Sequence, residues 1–241
     1  MKHVLIRSYD RKSPAVTSTN DFGLTFREPL EGRYLVKWAA IPNTIYNINA
    51  SNNVLYWIVL GVDYSVTLTQ GNYTGPELAA EIKIAMDGEP VLADTYNATY
   101  DSITAKITVT TAAANVWGWR FATFTTNSAA WALGLHALDS ALALSQVSDK
   151  PVFLGLPMSV GLRIDGIGME GYWTANSQNA AIFVPIASDF GSYQIISPDV
   201  LPQFIRFRHG TRFIRLRVVN VDSGEPISLN EAEWEMLLEK A

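Results

Sequence analysis

The sequence predicts an all-β protein, an antiparallel β-sandwich of the jelly-roll type with two short helices in insertions. Runs rich in Val, Ile, Tyr and Trp alternate between apolar and polar positions, most clearly over residues 34–39 and 64–69. Period-two alternation of β-branched and aromatic residues is typical of half-buried strands. Turn-forming pairs such as Pro42-Asn43 and Asn52-Asn53 separate these runs, as expected between strands.

The predicted strands follow one another with short turns between most of them. In chain order they are His3 to Arg7, Phe22 to Arg27, Tyr34 to Ile41, Val54 to Leu60, Tyr64 to Thr69, Ile103 to Thr110, Trp117 to Phe124, Leu142 to Val147, Val160 to Ile164, Ala180 to Pro185, Phe204 to Arg208, Phe213 to Val219 and Trp234 to Leu238. About 13 strands without β-α alternation favour an antiparallel sandwich, and jelly roll is the leading topology.

Two segments break the strand pattern and predict short helices. The first opens at Gly75-Pro76-Glu77 and stops at Asp87-Gly88, and its apolar residues recur at i, i+4 and i+8: Leu78, Ile82 and Met86. Pro in the first turn and Gly after the last are typical helix boundaries. The second begins after Asn127-Ser128, with Trp131 and Leu135 on one face.

The composition favours a large core and a surface that neighbouring chains cover. Of the 241 residues, 48% are hydrophobic and only 17% are charged, against about 25% charged in an average soluble domain.

The segment that most resembles a domain boundary is Ser148-Asp149-Lys150-Pro151. We therefore expect an N-terminal β-rich region with the two helices at residues 1–150 and a C-terminal β region at 151–241 that completes the sandwich. One interwoven domain is the alternative.

Several classes of protein are disfavoured by composition. The chain has no cysteine, which removes disulfides, thiolate zinc sites and cysteine nucleophiles. A net charge of -5 argues against general polyanion binding. The N-terminus has only three consecutive apolar residues, and no run approaches the length of a membrane span. We expect a soluble protein made inside the cell.

The sequence predicts neither an enzyme nor a cofactor or metal site. Gly166–Gly171 spells GxGxxG, but no helical period follows it. Asp21-Phe22-Gly23 and Asp189-Phe190-Gly191 resemble a kinase motif without its companions, which suggests turns. The three histidines, His3, His136 and His209, lie far apart. A pair of glycosidase carboxylates stays open, because its members meet only in the fold.

One group of arginines predicts an interface. Two strand-like runs flank His209-Gly210, with Arg206 and Arg208 on one face of the first and Arg215 and Arg217 on one face of the second. If the runs pair as a hairpin, they form an arginine ladder, which requires anions because like charges across a sheet are destabilising. Three partners stay open: acids of the same chain, acidic neighbouring subunits, and packaged nucleic acid.

A series of short motifs in a fixed order resembles the minor capsid or penton proteins of virophages and polinton-like viruses, of the double jelly-roll virus lineage. In the N-terminal half the motifs are Gly32-Arg33-Tyr34, Ile41 to Ile48, Asn52-Asn53, Gly71-Asn72-Tyr73 and Ser128 to Gly134. In the C-terminal half they are Ala181 to Ile186, Arg215 to Gly224 and Ser228 to Glu231 before Trp234.

This resemblance implies a structural role in the virion of an icosahedral virus. A jelly-roll protein of this kind closes the vertices as a homopentamer among trimers of a double jelly-roll major capsid protein, and it is made in the host cell interior. The arginines would contact acidic neighbours or the packaged genome. The N-terminal segment from His3 to Ser18, with Arg7, Arg11 and Lys12, would act as an arm that reaches an adjacent subunit or the capsid interior.

A carbohydrate-binding jelly roll, such as a lectin or fibre head, is the alternative function. Trp117, Trp119 or Trp173 would stack on sugar rings if exposed, with Asn and Asp supplying hydrogen bonds. Core packing is the competing use of each of these tryptophans.

Overall fold

The computed structural model describes residues 3–11, 18, 21–89, 95–113, 115–135, 138–155, 159–165, 167–168, 182–186, 188–197, 202–221 and 226–241. Over these residues the chain is mostly β, and every paired strand is antiparallel to its neighbour. The predicted all-β antiparallel class is confirmed, and the arrangement is consistent with a jelly-roll sandwich. No helix in these ranges is long and apolar enough to cross a membrane.

The elements follow the chain in this order: β1 (His3–Arg7), a short 3-10 helix (Ser8–Asp10), β2 (Asp21–Pro42), β3 (Val54–Val59), β4 (Val62–Thr67), α1 (Gly75–Asp87), β5 (Tyr96–Asp101), β6 (Lys106–Thr111), β7 (Trp117–Trp119), β8 (Ser145–Val147), β9 (Ser159–Asp165), β10 (Ile167–Gly168), β11 (Ile182–Pro185), β12 (Tyr193–Ile196), β13 (Phe204–Asn220) and β14 (Glu235–Lys240).

The chain divides into two compact units, and the second is an insertion in the first. Unit 1 comprises Met1–Ile45 and Leu156–Ala241, whereas unit 2 is Tyr46–Gly155. This grouping differs from the expected boundary at residue 150. The reason is that β2 pairs with both β13 and β14, so the two ends of the chain share one sheet.

Unit 1 is built on an eight-stranded sheet. Its path runs β1-β14-β2-β13-β9-β11, with β10 paired to β13 and β12 paired to β2. Its inward side chains form a core in which Phe22 packs on Trp234 at 5.5 Å and Tyr34 meets Phe207 edge-on at 5.2 Å between ring centroids. Register shifts interrupt the pairing of β2 with both β13 and β14, and such bulges bend a strand.

Unit 2 has its own core between two three-stranded sheets, β4-β3-β7 and β5-β6-β8, with α1 packed on β5. A chain of aromatic contacts runs through it. The rings involved are Trp57, Tyr96, Trp117, Trp119 and Phe121, all of them buried. Because each unit has a separate buried cluster, each satisfies the main requirement for a domain.

The first predicted helix is confirmed as α1. At its start the Glu77 carboxylate accepts hydrogen bonds from the backbone N–H and the hydroxyl of Thr74, at 2.8 and 2.7 Å. The second predicted helix is wrong. Residues 130–134 form turns: the Leu133 N–H donates to the Ala129 carbonyl as in a helix, but the next N–H, of Gly134, donates to the Trp131 carbonyl, and Gly134 leaves the helical region with a φ of +66°. Trp131, expected on one face of this helix with Leu135, is 72% exposed.

Two further differences concern strands. Phe204 to Arg208 and Phe213 to Val219 were predicted as separate strands, and both lie in the continuous β13. Likewise, Phe22 to Arg27 and Tyr34 to Ile41 both lie in the continuous β2. The strands β5, β10 and β12 were not predicted. β5 reads Tyr-Asn-Ala-Thr-Tyr-Asp, whose few β-branched residues give a weak pattern.

Candidate interaction surfaces of unit 1

The four arginines of the predicted ladder lie along one strand, so a hairpin ladder is not what the structure shows. The long β13 pairs with β2 on one side and with β9 and β10 on the other. A hairpin at His209-Gly210 is absent from β13, since β2 pairs with residues on both sides of that point. The strands that pair with β13 are determined by the tertiary structure, and the local sequence pattern does not encode them.

A bulge keeps all four arginines on the outward face of the sheet. Ile205 and Phe207 are buried before the bulge, while Ile214, Leu216 and Val218 are buried after it. The inward positions therefore change from odd to even numbers, and the arginines change with them. The register of β13 against β2 shifts on both sides of Thr211.

The bulge has its own stabilising contacts. Gly210 adopts a φ of +77° and Gly32, opposite Phe207, a φ of +87°, conformations that favour glycine. The Thr211 hydroxyl donates to the Arg208 carbonyl at 2.8 Å. The His209 ring contacts the Glu31 carboxylate. The predicted His-Gly turn is thus a local feature of one strand.

Two of the arginines are held by acids of the same chain. Arg215 donates two hydrogen bonds to Asp21, from Nε at 2.7 Å and from Nη2 at 2.6 Å. This contact raises the pKa of Arg215. Arg217 donates to Asp165 at 2.6 Å, and Arg163 also reaches Asp165 at 3.3 Å. Acids of the same chain were one of the partners left open by the sequence.

The other two arginines of the predicted ladder, Arg206 and Arg208, lie near a third arginine, Arg33. Arg206 is directly opposite Arg33 of β2 in the register, and the Arg33 guanidinium lies 3.7 Å from the centre of the Phe204 ring. Such stacking is a favourable cation–π geometry. Arg208 is exposed two residues further along. Three arginines, Arg33, Arg206 and Arg208, therefore lie near one another at this end of the strand.

We call the outward side of β13, with the residues paired to it, the arginine face. Phe213 lies near its middle, 57% exposed, with its ring against Gly23 of β2, where a Cβ would meet it at 2.7 Å. The residues that define the face are Arg33, Arg163, Phe204, Arg206, Arg208, Phe213, Arg215 and Arg217.

The predicted N-terminal arm is docked on its own unit over the residues that the structure describes. β1 pairs with β14 through all five of its residues. Arg7 donates to Asp10 at 2.9 Å, and Arg11 donates to Glu233 at 2.7 Å. Two hydrogen bonds lower the pKa of Glu233 against the effect of burial, one from Arg11 and one from Ser8. Lys12 lies outside the described residues.

A second surface, which sequence reasoning missed, lies on the outward side of β1, β14 and β2. Leu5, Leu237 and Trp38 are consecutive cross-strand partners, and all point away from the core formed by their neighbours Ile6, Met236 and Ala39. Leu5 is 45% exposed.

This apolar row continues onto β12. Ile195, 67% exposed, is opposite Ala40 of β2. We call Leu5, Trp38, Ile195 and Leu237 the apolar face. Its charged neighbours include the ion pair of Lys37 with Glu239 at 3.0 Å. A sequence signal existed: β1 and β14 carry consecutive apolar residues in place of strict alternation, which indicates strands covered on both faces.

The segments that resemble enzyme motifs lie in ordinary strands and turns where the structure describes them. Asp21-Phe22-Gly23, which suggested a turn, opens β2 with Phe22 buried in the core. Asp189-Phe190-Gly191 is a turn with Gly191 at φ of +82°. Of the GxGxxG segment the structure describes only β10, a strand. Among the described residues, no group of three or more His, Asp or Glu side chains could hold a metal ion. His136 lies outside them.

Two of the three tryptophans proposed to stack on sugars cannot do so. Trp117 and Trp119 are buried in the aromatic core of unit 2, because strand β7 directs both rings inward. Trp173 lies outside the described residues. The carbohydrate-binding alternative therefore loses two of its named contacts.

Comparison with known proteins adds little to the chain's own geometry. No family model matches the chain, and no curated protein matches it. Among solved structures, the chain is similar to the crystal structure of the selenomethionine-labelled mavirus penton protein. The similarity covers 100% of both chains at 10% sequence identity, with a TM-score of 0.43. A likeness at this level carries no functional argument.

Proposed function

We propose that this chain is a structural protein of an icosahedral viral capsid, either the penton protein of the vertices or another minor capsid protein. The apolar face is the observation that carries the proposal. The ordered motifs, which resemble those of virophage and polinton-like virus proteins, are the reason for proposing a capsid protein among the proteins that assemble.

The apolar face has the anatomy of a protein interface. Trp38 lies between aliphatic side chains, and the ion pair of Lys37 with Glu239 lies beside them. Interfaces combine an apolar centre, where aromatic residues are enriched, with a polar rim. Full burial of one large aliphatic side chain stabilises a contact by about 1.5–3 kcal/mol. A chain that did not associate would leave these side chains exposed to water and would not obtain this stabilisation.

The partners proposed are further copies of the chain in a homopentamer and trimers of a major capsid protein. The low charged fraction of 17% supports a molecule surrounded by neighbours, because charged residues are depleted at interface centres. In this proposal the protein resides in the virion and performs no reaction.

Replacement of apolar residues of the apolar face by lysine tests the proposal. Leu5→Lys with Ile195→Lys changes two exposed side chains, so folding is expected to survive. Light scattering should give an oligomer for the original chain and a monomer for the double variant. Ile84→Lys, on the exposed side of α1, is the matched control and should leave the oligomer intact. A double variant that assembles normally would contradict the proposal.

A further inference from the structure

A second apolar surface lies on unit 2, on the outer side of the sheet β4-β3-β7. Trp57 of β3 and Trp117 of β7 point into the core of this unit and are buried. Because side chains alternate between the two faces of a strand, Ile58, Val116 and Gly118 point outwards. Ile58 is directly opposite Gly118 in the register, so the outward positions of the two strands are neighbours.

The chain returns along β7 and extends this surface. Trp117 and Ala143 exchange two backbone hydrogen bonds at 3.0 and 2.9 Å, which places Ala143 on the inward side with Trp117. Leu142 and Leu144, on either side of Ala143, therefore point outwards, and both are about half exposed. A Cβ at Gly118 would lie 3.3 Å from Cδ2 of Leu142, so Leu142 lies directly over the glycine.

Leu60 completes the surface from a strained backbone position. It forms with Gly61 the two-residue turn between β3 and β4, and the two residues have φ of +52° and +79°. Turns with positive φ at both positions favour Asn-Gly, because the Cβ of other residues crowds the backbone. The Leu60 side chain is 71% exposed, so packing within the chain does little to offset this strain. A contact with another molecule would explain the leucine.

We call this surface of unit 2 the leucine face. Its members share an outward direction and an apolar side chain, and they lie on β3, the β3–β4 turn, β7 and the segment that returns along β7: Ile58, Leu60, Val116, Leu142 and Leu144.

We propose that the apolar face of one copy packs on the leucine face of a second copy. This inference rests on the proposed function, since it names the surface that covers the apolar face. Both surfaces are outer sides of β-sheets, and in both the large apolar side chains form rows across neighbouring strands. Sheets with such faces pack on each other with their side chains interdigitated.

The charged residues beside both surfaces are already paired within the chain. Beside the leucine face, Arg120 donates to Asp63 at 2.9 Å and to Asp139 at 2.7 Å. Beside the apolar face, Lys37 lies 3.0 Å from Glu239. Packing of one surface on the other therefore leaves these ion pairs at the border of the contact, and an apolar centre with a polar rim is the usual anatomy of an interface.

A head-to-tail contact covers both apolar surfaces of every copy. Each copy offers one apolar face and one leucine face, and heterologous contacts of this kind close into rings when the rotation between copies permits. Pairing of the apolar face with itself would end at two copies and would leave the leucine face exposed to water. A closed ring leaves neither surface exposed, and it accommodates the proposed homopentamer.

Two complementary variants test the contact. Leu5→Lys with Ile195→Lys alters the apolar face, whereas Leu142→Lys with Leu144→Lys alters the leucine face. Each variant alone retains one surface without its partner surface, so the dissociation constant of its self-association should rise about a hundredfold or more. An equimolar mixture should form pairs of one chain of each kind, because the leucine face of the first variant and the apolar face of the second are intact.

Native mass spectrometry with one variant isotope-labelled distinguishes mixed pairs from pairs of a single variant, and the unfolding midpoints are measured in parallel. Ile84→Lys with Ile103→Lys is the matched control, since it changes two exposed apolar residues of unit 2 outside the leucine face, and it should assemble normally. A mixture without mixed pairs, or a variant that pairs with itself as well as the original chain does, would overturn the inference. Normal assembly of the leucine-face variant would leave the capsid proposal intact, whereas an original chain that never associates would overturn both.

Photo-crosslinking locates the partner surface without adding charge. Leu142 is replaced by p-benzoylphenylalanine, and the chain is mixed with isotope-labelled copies so that crosslinks between copies are distinguished by mass. The expected crosslinks join position 142 to β1, β2, β12 or β14 of another copy. Crosslinks to unit 2 of another copy, or none in a sample that associates, would overturn the inference.

Discussion

At the scale of the residue, Asp139 shows how one carboxylate organises a loop of unit 2. It accepts hydrogen bonds from the backbone N–H groups of Ala122 and Thr123, from the Thr123 hydroxyl and from Arg120. Arg120 in turn reaches Asp63 at 2.9 Å. The sequence offered no signal for this cluster, because its members are separated along the chain and meet only after β3, β4 and β7 have formed.

Asp139→Asn should lower the free energy of unfolding by about 1–3 kcal/mol, because an amide cannot accept this set of hydrogen bonds without leaving donors unsatisfied. Urea denaturation followed by tryptophan fluorescence measures the change. Asp63→Asn is the control: it removes one partly exposed ion pair, which is worth about 1 kcal/mol or less. Equal losses in the two variants would show that the loop does not depend on Asp139.

The same residue predicts a loss of stability in acid. Burial alone would raise the pKa of Asp139, but hydrogen bonds from Thr123 and Ala122 and the charge of Arg120 lower it. A carboxyl whose pKa is lowered by folding stabilises the protein above its unfolded pKa of about 4, and this contribution disappears as the pH falls through the folded value. Urea midpoints between pH 7 and pH 3 should therefore fall less steeply for Asp139→Asn than for the original chain. Parallel curves would refute this.

At the scale of the element, local sequence patterns predicted where strands and a helix lie, but not which strands pair with each other. The strand β4 and the helix α1 were predictable because alternation and helix-boundary residues act within a few positions. The continuity of β13 was not predictable. His209-Gly210 has turn chemistry, yet the pairing of β13 with the long β2 makes it a bulge. Burial of a whole sheet face decided the outcome over a local preference.

Gly210→Ala should destabilise the protein by about 1–2 kcal/mol. At a φ of +77° an added Cβ is strained by its own backbone, although open space surrounds the position. Arg212→Ala, an exposed neighbour in the same strand, should change stability by about 0.5 kcal/mol or less. Thermal unfolding compares them, and an unaffected midpoint in Gly210→Ala would argue against the bulge geometry.

At the scale of the whole molecule, the chain is an insertion of one unit into another. The sequence predicted the fold class because composition and alternation are properties of the entire chain. It did not reveal the division, since no linker composition marks residues 45–46 or 155–156. The interaction surfaces were predicted in part: the arginines were identified from their spacing, whereas the apolar face depends on which strands are neighbours.

A fragment of residues 46–155 should fold alone, because the buried cluster of unit 2 lies within it. We expect one cooperative unfolding transition by circular dichroism and fluorescence. The fragment 1–150 is the informative comparison. It retains β2 but lacks the β13 and β14 strands that pair with it, so its first 45 residues should stay unfolded. A non-cooperative 46–155 fragment would contradict the division.

We propose above all that the chain is a structural protein that assembles with copies of itself. The most direct measurement is the mass of the purified protein by light scattering over a range of concentrations, with negative-stain images of the same sample. We expect a particle of five chains, each of 26.6 kDa, visible as a five-fold ring. A monodisperse monomer at every concentration, with no rings, would contradict it.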